Sequence, residues 1–408
     1  MPTINPDRLL GDLYELRKIG AYKTGVHRPT FSPEDVQSRQ WLVERMERAG
    51  LEPTIDGIGN VLGFSRASGR KLLAGSHIET QNHAGWLDGA LGVIYALEAA
   101  RALAEDPASA GRGVDVVAFA DEEGHFGNFL GSRSFVGALS EEDIDKARDR
   151  TNGTPVREAL AKAGYAGRPR LRIDPSRYAG YFEAHIEQGD TLETTGLRIG
   201  VVTAIVAIHQ FRITVTGEQN HAGTASMARR RDAGLALVRL LAAIDRRFPE
   251  VAGPRSVWTT GRITLDPGDQ SIVPGGAQAM FQFRDADPAV LERMQAALDN
   301  LIAQANRDGR CPVELVAISA STPAVMDEKF QAVLDQAAER HAPGKHMRMP
   351  SGAGHDAQYL ARKVPAAMLF VPSIGGISHH WSENTSDEDI VLGARVFVDA
   401  IADVLRSE

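Results

Sequence analysis

The stretch HQFRITVT (209–216) alternates apolar and polar residues, as a strand with one buried face does. After it, SMARRRDAGLALVRLLAAIDRRF (226–248) changes to a helical period, with Leu235, Leu237, Leu240 and Leu241 on one side. GRITL (261–265) and AQAMFQF (277–283) read as strands joined by a turn rich in Gly and Pro. PAVLERMQAALDNLIAQANRD (288–308) is a second amphipathic helix, with Leu291, Met294, Ala297, Leu298 and Leu301 at helical spacing. PVELVAIS (312–319) closes the series as a strand. The order β-α-β-β-α-β is the split βαβ arrangement of ferredoxin-like sheets.

On either side of this stretch the pattern differs. Short apolar runs at Lys71–Ala74, Val114–Ala120, Tyr181–His185 and Ala366–Val371 alternate with helical segments such as Gly89–Ala104. Strands separated by helices predict an α/β domain with a mostly parallel sheet covered on both faces. Ser32-Pro33-Glu34-Asp35 reads as a helix start, and Gly50 as the end of that helix. The organisation predicted is a larger domain formed by residues 1–208 and 325–408, with a ferredoxin-like domain, 209–324, inserted into it.

Composition narrows the function classes. The 408 residues are 43% apolar and 24% charged, which supplies ample surface for a packed core and excludes wholesale disorder. With 53 acidic and 45 basic residues the net charge is −8, which argues against nucleic acid or an anionic membrane as the main partner. Cys311 is the one cysteine, so no intrachain disulfide and no thiolate zinc cluster is expected. The opening MPTINPDRLLGDLYEL lacks a cationic stretch followed by an apolar run, and no segment is apolar over ~20 residues. A cytoplasmic protein is expected.

Histidines and carboxylates gather where predicted strands end, the edge at which α/β sheets bind ligands. His77 follows one strand and Asp88 precedes a helix in GSHIETQNHAGWLDGALGV (75–93). Glu122 and Glu123 follow a second strand in VVAFADEEGHFG (116–127). His185 ends a third in YFEAHIEQGD (181–190), His221 leaves the first strand of the insertion, and His379 and His380 lie in GISHHWSENTS (376–386). A lone histidine at a strand end is more often a hydrogen-bonded structural residue, and a Glu-Glu pair is usually a solvated loop. Together on one sheet edge they point elsewhere, because adjacent glutamates repel unless a cation neutralises at least one. Imidazole and carboxylate ligands suit zinc, manganese, cobalt or nickel.

These segments, with GEQNHAGTASMARRRDA (217–233) and SGAGHDAQYLA (351–361), resemble the hydantoinase/carbamoylase branch of the M20 metallopeptidase-like amidohydrolases. The resemblance runs from the first helix to the last and implies two divalent metal ions, zinc first among them. His77 and His185 would hold one ion and Glu123 and His379 the other, with Asp88 bridging. Glu122 would act as general base on the bridging water and pass the proton to the leaving nitrogen. Glu79 matches the position that orients the first histidine, where many members carry Asp. On the substrate side, Gln188 resembles a contact to a carbamoyl or ureido group, Arg284 a carboxylate clamp, and His355 a residue near that carboxylate. His221 resembles an oxyanion-stabilising histidine that reaches into a partner subunit's site. Ser271, in DQSIVPG (269–275), replaces a more usual Asn and shortens the reach to a substrate.

The activity implied is hydrolysis of a linear amide, a carbamoyl or ureido group on a small carboxylate-bearing molecule such as an N-carbamoyl-L-amino acid. The partner implied is a second copy, making a homodimer through the inserted lid. An N-acyl amino acid deacylase or dipeptidase of the same superfamily is the nearest alternative, and a non-catalytic small-molecule binding protein a more distant one. His83, His125 and His380 fall at non-ligand positions, Trp86 and Trp381 read as cavity wall, and Arg229–Arg231 as a solvated helix start. No GxxxxGK[ST] or GxSxG occurs, so nucleotide and serine-hydrolase readings have no motif behind them.

Overall fold

The computed structural model describes residues 2–408, which form two compact units. One comprises the chain up to Thr203 together with Val325–Glu408; the other is Ala204–Ala324.

The larger unit is built on a nine-stranded mixed sheet. At its centre Ala366–Val371, Tyr178–Ile186, Lys71–His77 and Val114–Phe119 lie side by side and parallel. All four are buried along their whole length, which is why they read as continuous apolar runs rather than alternating ones. The flanks are antiparallel: Ile199–Ile205 pairs with Ala366–Val371, Val61–Phe64 with Val114–Phe119, and Glu52–Ile55 with Val61–Phe64. The expectation of a mostly parallel sheet is thus corrected to a parallel centre with antiparallel flanks. Only residues 56–60 separate Glu52–Ile55 from Val61–Phe64, far short of the dozen or so that a parallel crossover needs.

Helix Ala90–Glu105 is buried from Ala90 through Leu103, so it has no polar face to show water. It packs on the central strands, on the N-terminal helix Pro6–Lys18 and on the last helix, Asp387–Ser407. Gly92 permits its close approach to the sheet, since a Cβ there would collide with the Ala184 carbonyl oxygen. Helix Pro33–Arg48 begins as read, with Ser32 Oγ accepting from the Asp35 N–H at 3.2 Å. The four parallel strands present their C-terminal ends at one edge.

In the smaller unit, four antiparallel strands run in the order Val257–Asp266, Gly276–Asp285, Ala207–Thr216, Val313–Ala320. Helices Ala233–Val251 and Pro288–Asp308 bury Leu237, Leu240, Ile244, Leu291, Met294 and Leu298 against the alternating Phe211, Ile213, Val215, Ala279, Phe281 and Phe283. The first helix starts at Ala233 rather than Ser226. Asp232 caps it, accepting from the Leu235 N–H at 2.9 Å, while the Arg230 guanidinium donates to the Ala222 and Ala225 carbonyls and holds the preceding residues in a turn. The second strand starts at Val257, ahead of Gly261. That glycine marks a register shift between Thr260 and Arg262, a bulge inside the strand rather than its beginning.

Candidate metal centre

His77 is the last residue of its strand, and its Nδ1 lies 3.0 Å from the Glu79 carbonyl oxygen. His185, one residue from the end of the neighbouring strand, has Nδ1 2.9 Å from the Ile186 carbonyl. Each ring therefore donates through Nδ1 and keeps its Nε2 lone pair, the arrangement a metal ligand requires. His77 Nε2 stands 3.6 Å and His185 Nε2 3.1 Å from Asp88 Oδ1, and the His185 lone pair also accepts from the Gly89 N–H at 3.1 Å. The other carboxylate oxygen, Oδ2, is 3.4 Å from His379 Nε2, which lies 3.6 Å from Glu123 Oε2. The result is two groups able to hold an ion each, His77–Asp88–His185 and Asp88–Glu123–His379, with Asp88 common to both.

The residues fit divalent cations on their own terms. His77 Nε2 is buried without a hydrogen-bond partner, a cost the fold bears unless something accepts the lone pair. Asp88 and Glu123 are buried and Glu122 is nearly so, which crowds three carboxylates together. Among the protein groups alone, burial pushes the Glu122 pKa well above the usual carboxylate range. Neighbouring Glu123, Asp356 and Asp88 push it the same way, and His77 opposes them. Burial raises Glu123 as well, reinforced by Asp88. Positive charge placed between these carboxylates relieves both burial and repulsion.

Local backbone aims these side chains. Gly89 adopts φ +67° beside Asp88, and a Cβ there would fall within the His77 ring. Asp121 and His379 take φ +58° and +54°, turning the chain sharply just before Glu122 and at the second candidate group. Glu123 is held by Gln81, whose N–H and side-chain amide donate to its two carboxylate oxygens at 3.1 and 2.7 Å. Glu122 Oε2 is 3.6 Å from His77 Nε2.

Other sequence-predicted residues fall as follows. Gln188 Nε2 donates to Asp88 Oδ2 at 3.1 Å and to Ser378 Oγ at 3.0 Å, which brings it to the same cluster. His355 is buried behind the centre, its ring 4.6 Å from that of His185 and its Nε2 2.9 Å from Ser351 Oγ. The Glu79 carboxylate turns away from His77, whose ring meets the Glu79 carbonyl instead. In the smaller unit, His221 is exposed and pairs with Ile272 in a short ladder, and the Ala222 N–H donates to the Ser271 carbonyl at 2.9 Å, so His221 and Ser271 are neighbours. Arg284 lies near the far end of strand Gly276–Asp285, with its guanidinium on Gln282 Oε1 at 3.2 Å. His83, His125 and His380 enter neither group: His83 stacks on His27, His125 reaches the Thr80 carbonyl and His380 meets Ser382 Oγ.

Residues 75–403 match the family described as Peptidase family M20/M25/M40. The chain belongs to that family. An allantoate amidohydrolase of Escherichia coli (strain K12) is 33% identical over 379 residues, spanning 91% of each chain. An N-carbamoyl-L-amino-acid amidohydrolase of Pseudomonas sp. (strain NS671) is 31% identical over 412 residues, spanning 98% of each. The crystal structure of an amidase (hydantoinase/carbamoylase family) from Burkholderia phymatum superposes with a TM-score of 0.93 at 49% identity, covering 100% of this chain and 99% of that one. The M20 protein described here is an amidohydrolase.

Residues of this amidohydrolase that the motifs did not single out also shape the centre. Ser378 Oγ donates to Glu383 Oε2 at 3.0 Å beside His379. Asp356 is buried with neither carboxylate oxygen hydrogen-bonded, and it adds to the negative field on Glu122. Its adjacency to His355 was the only signal available, since no spacing rule announces a buried carboxyl. Among the described residues no helix is long and apolar enough to cross a membrane.

Proposed function

We propose that this amidohydrolase removes a carbamoyl or ureido group from a small carboxylate-bearing substrate, such as an N-carbamoyl-L-amino acid, with two divalent ions, zinc foremost. The observation that carries the reading is the pair of ligand groups sharing Asp88, with Glu122 within 3.6 Å of a ligand atom but outside both groups. His77 and His185 would hold one ion, Glu123 and His379 the other, and Asp88 both. Bound there, divalent ions would supply Lewis acidity for the carbonyl and would lower the pKa of the attacking water.

The protein's own groups do the rest. Glu122, next in sequence to a ligand, takes a proton from the attacking water and returns it to the nitrogen as the C–N bond breaks. Gln188, hydrogen-bonded at the cluster's edge, offers an amide to the ureido group. Arg284 provides a planar fork for the substrate carboxylate, and His221 a donor for the developing oxyanion.

We also read the 209–324 segment as a ferredoxin-like lid through which two copies pair. Arg284 and the strand's first residue, Gly276, lie eight residues apart, roughly 27 Å at ~3.4 Å per residue. The ladder holding His221 and Ser271 leaves the sheet at the Gly276 end, where the Gly217 N–H donates to the Gly275 carbonyl. A small substrate cannot span that length. That length supports a reading in which Arg284 and His221 of one lid serve different substrates, as a dimer allows.

The deciding experiment is ammonia release by metal-reconstituted protein from N-carbamoyl-L-amino acids, N-carbamoyl-β-alanine and allantoate, with N-acetyl amino acids assayed for free amine and a chelated control throughout. Chelator-sensitive ammonia from a ureido substrate supports the reading and names its class. Free amine from acyl substrates alone moves the protein to the deacylases.

A further inference from the structure

Two arginines from the N-terminal part of the chain are completely buried behind the centre, together with two carboxylates. Arg28, Asp35, Arg39 and Glu79 are each 0% exposed and form a charge-balanced quartet. Arg39 is its hub. Its Nε donates to Asp35 Oδ2 at 2.9 Å, its Nη2 to Glu79 Oε2 at 2.9 Å and its Nη1 to the Gly59 carbonyl at 2.6 Å. Arg28 grips the same backbone, its Nε donating to the Ile78 carbonyl at 2.7 Å while its own carbonyl accepts from the Thr80 N–H at 2.9 Å.

The quartet ends on the catalytic segment. Glu79 Oε1, the oxygen that Arg39 does not hold, accepts from the backbone N–H of Glu122 at 2.7 Å. The left-handed conformation of Asp121, φ +58°, aims that N–H at it. Meanwhile the Glu79 carbonyl holds His77 Nδ1 at 3.0 Å. One residue thus fixes the first histidine through its backbone and the Asp121–Glu122 peptide through its side chain. Burying ions at this cost is weak evidence for stability, whereas a fully desolvated guanidinium whose Nε, Nη1 and Nη2 each hold a different partner is a precise positional constraint.

We infer that Arg39 and Glu79 are positioning residues for this reaction: Arg39 locks the Glu79 carboxylate, which fixes the peptide that carries Glu122. The inference rests on the reading of Glu122 as the base. It also accounts for Glu rather than Asp at position 79, since a side chain shorter by one C–C bond, about 1.5 Å, cannot meet both Arg39 and the Glu122 N–H from the same backbone.

The test compares Glu79→Asp, Glu79→Gln, Arg39→Lys and the double variant Arg39→Lys/Glu79→Asp with the parent and with Glu122→Gln. Each is measured for folding by circular dichroism, bound metal per chain, and kcat and KM separately. Positioning predicts kcat lower by about 10- to 100-fold in Glu79→Asp and Arg39→Lys, with KM within about twofold and metal content unchanged. It predicts a double variant no slower than the slower single, because both break one coupling. Glu79→Gln is close to isosteric and keeps an oxygen for the Glu122 N–H. It serves if the other variants fail to fold, and should still lose kcat, its amide facing Arg39.

Folded, metal-replete variants with kcat within about twofold of the parent overturn the inference, as does metal loss at unchanged turnover per bound metal. If Glu122→Gln itself turns over normally, the base reading fails. If Glu122→Gln is inactive while the Arg39 and Glu79 variants are normal, only the positioning inference fails.

Discussion

Glu122 Oε2 stands 3.6 Å from His77 Nε2, a buried atom with no hydrogen-bond partner inside the protein. The contact puts a carboxylate beside the ligand cluster without enlisting it in either ligand group. Glu122→Gln preserves volume and removes the base. Turnover is expected to fall on the order of a hundred- to ten-thousand-fold while metal content stays at the parent level. Activity measured alongside metal analysis checks this; substantial residual turnover removes Glu122 from the role.

Gly89 gives a sharper test of the centre's geometry. With φ +67° and the space of a Cβ taken by the His77 ring, Gly89→Ala must both strain the backbone and push the histidine off its lone-pair direction. A backbone held at φ +67°, ψ −45° costs about 1–3 kcal/mol for a residue with a Cβ. The expected result is a lower melting temperature and loss of metal from the His77 group, read by calorimetry and metal titration. Parent-like stoichiometry and affinity would show that His77 is not a ligand.

How much of this was legible beforehand follows from the range of each interaction. His77, Glu122, Glu123, His185 and His379 sit at strand ends or in the loops after them and Asp88 just before a helix, so local pattern and chain order bring them to one edge. Arg39 is different. In QSRQWLVERMERAG it has the spacing of an ordinary solvated helix charge, and only packing 40 residues away on Glu79 makes it a buried hub. The flanking hairpin of Glu52–Ile55 and Val61–Phe64 escaped for another reason: four-residue strands are too short to display a period. Gly261 misled because a bulge inside a strand and the boundary of one carry the same residue.

Asp56 predicts a pH dependence remote from the centre. Burial pushes its pKa up to about 6, although the N–H groups of Ile58, Leu171 and Asn60 all donate to it and pull the other way. A carboxyl raised in the folded state contributes stability that is complete below its unfolded value of 3.8 and is lost as pH rises through about 6. The amplitude is at most roughly 3 kcal/mol. Denaturant unfolding of the parent and of Asp56→Asn, measured from about pH 4 to pH 7, is expected to show the parent losing stability relative to the variant across that window. A pH-independent difference would mean that the hydrogen bonds outweigh burial.

The distance along strand Gly276–Asp285 yields a test of the proposed pairing. If Arg284 clamps substrate in its own subunit while His221 serves the partner's, each single variant, Arg284→Ala and His221→Ala, disables every site in its own homodimer. Arg284→Ala should do so mainly through KM, since a carboxylate clamp holds substrate and transition state alike. Mixing the two variants and allowing subunits to exchange creates heterodimers in which one site has lost both residues and the other has both intact. With random pairing about half the dimers are mixed, so about a quarter of all sites regain function. Activity rising from near zero towards that quarter after co-refolding, measured at subsaturating substrate, is the expected outcome. No recovery, in a mixture shown by mass spectrometry to contain heterodimers, would place both residues in the same site and dissolve the argument from strand length.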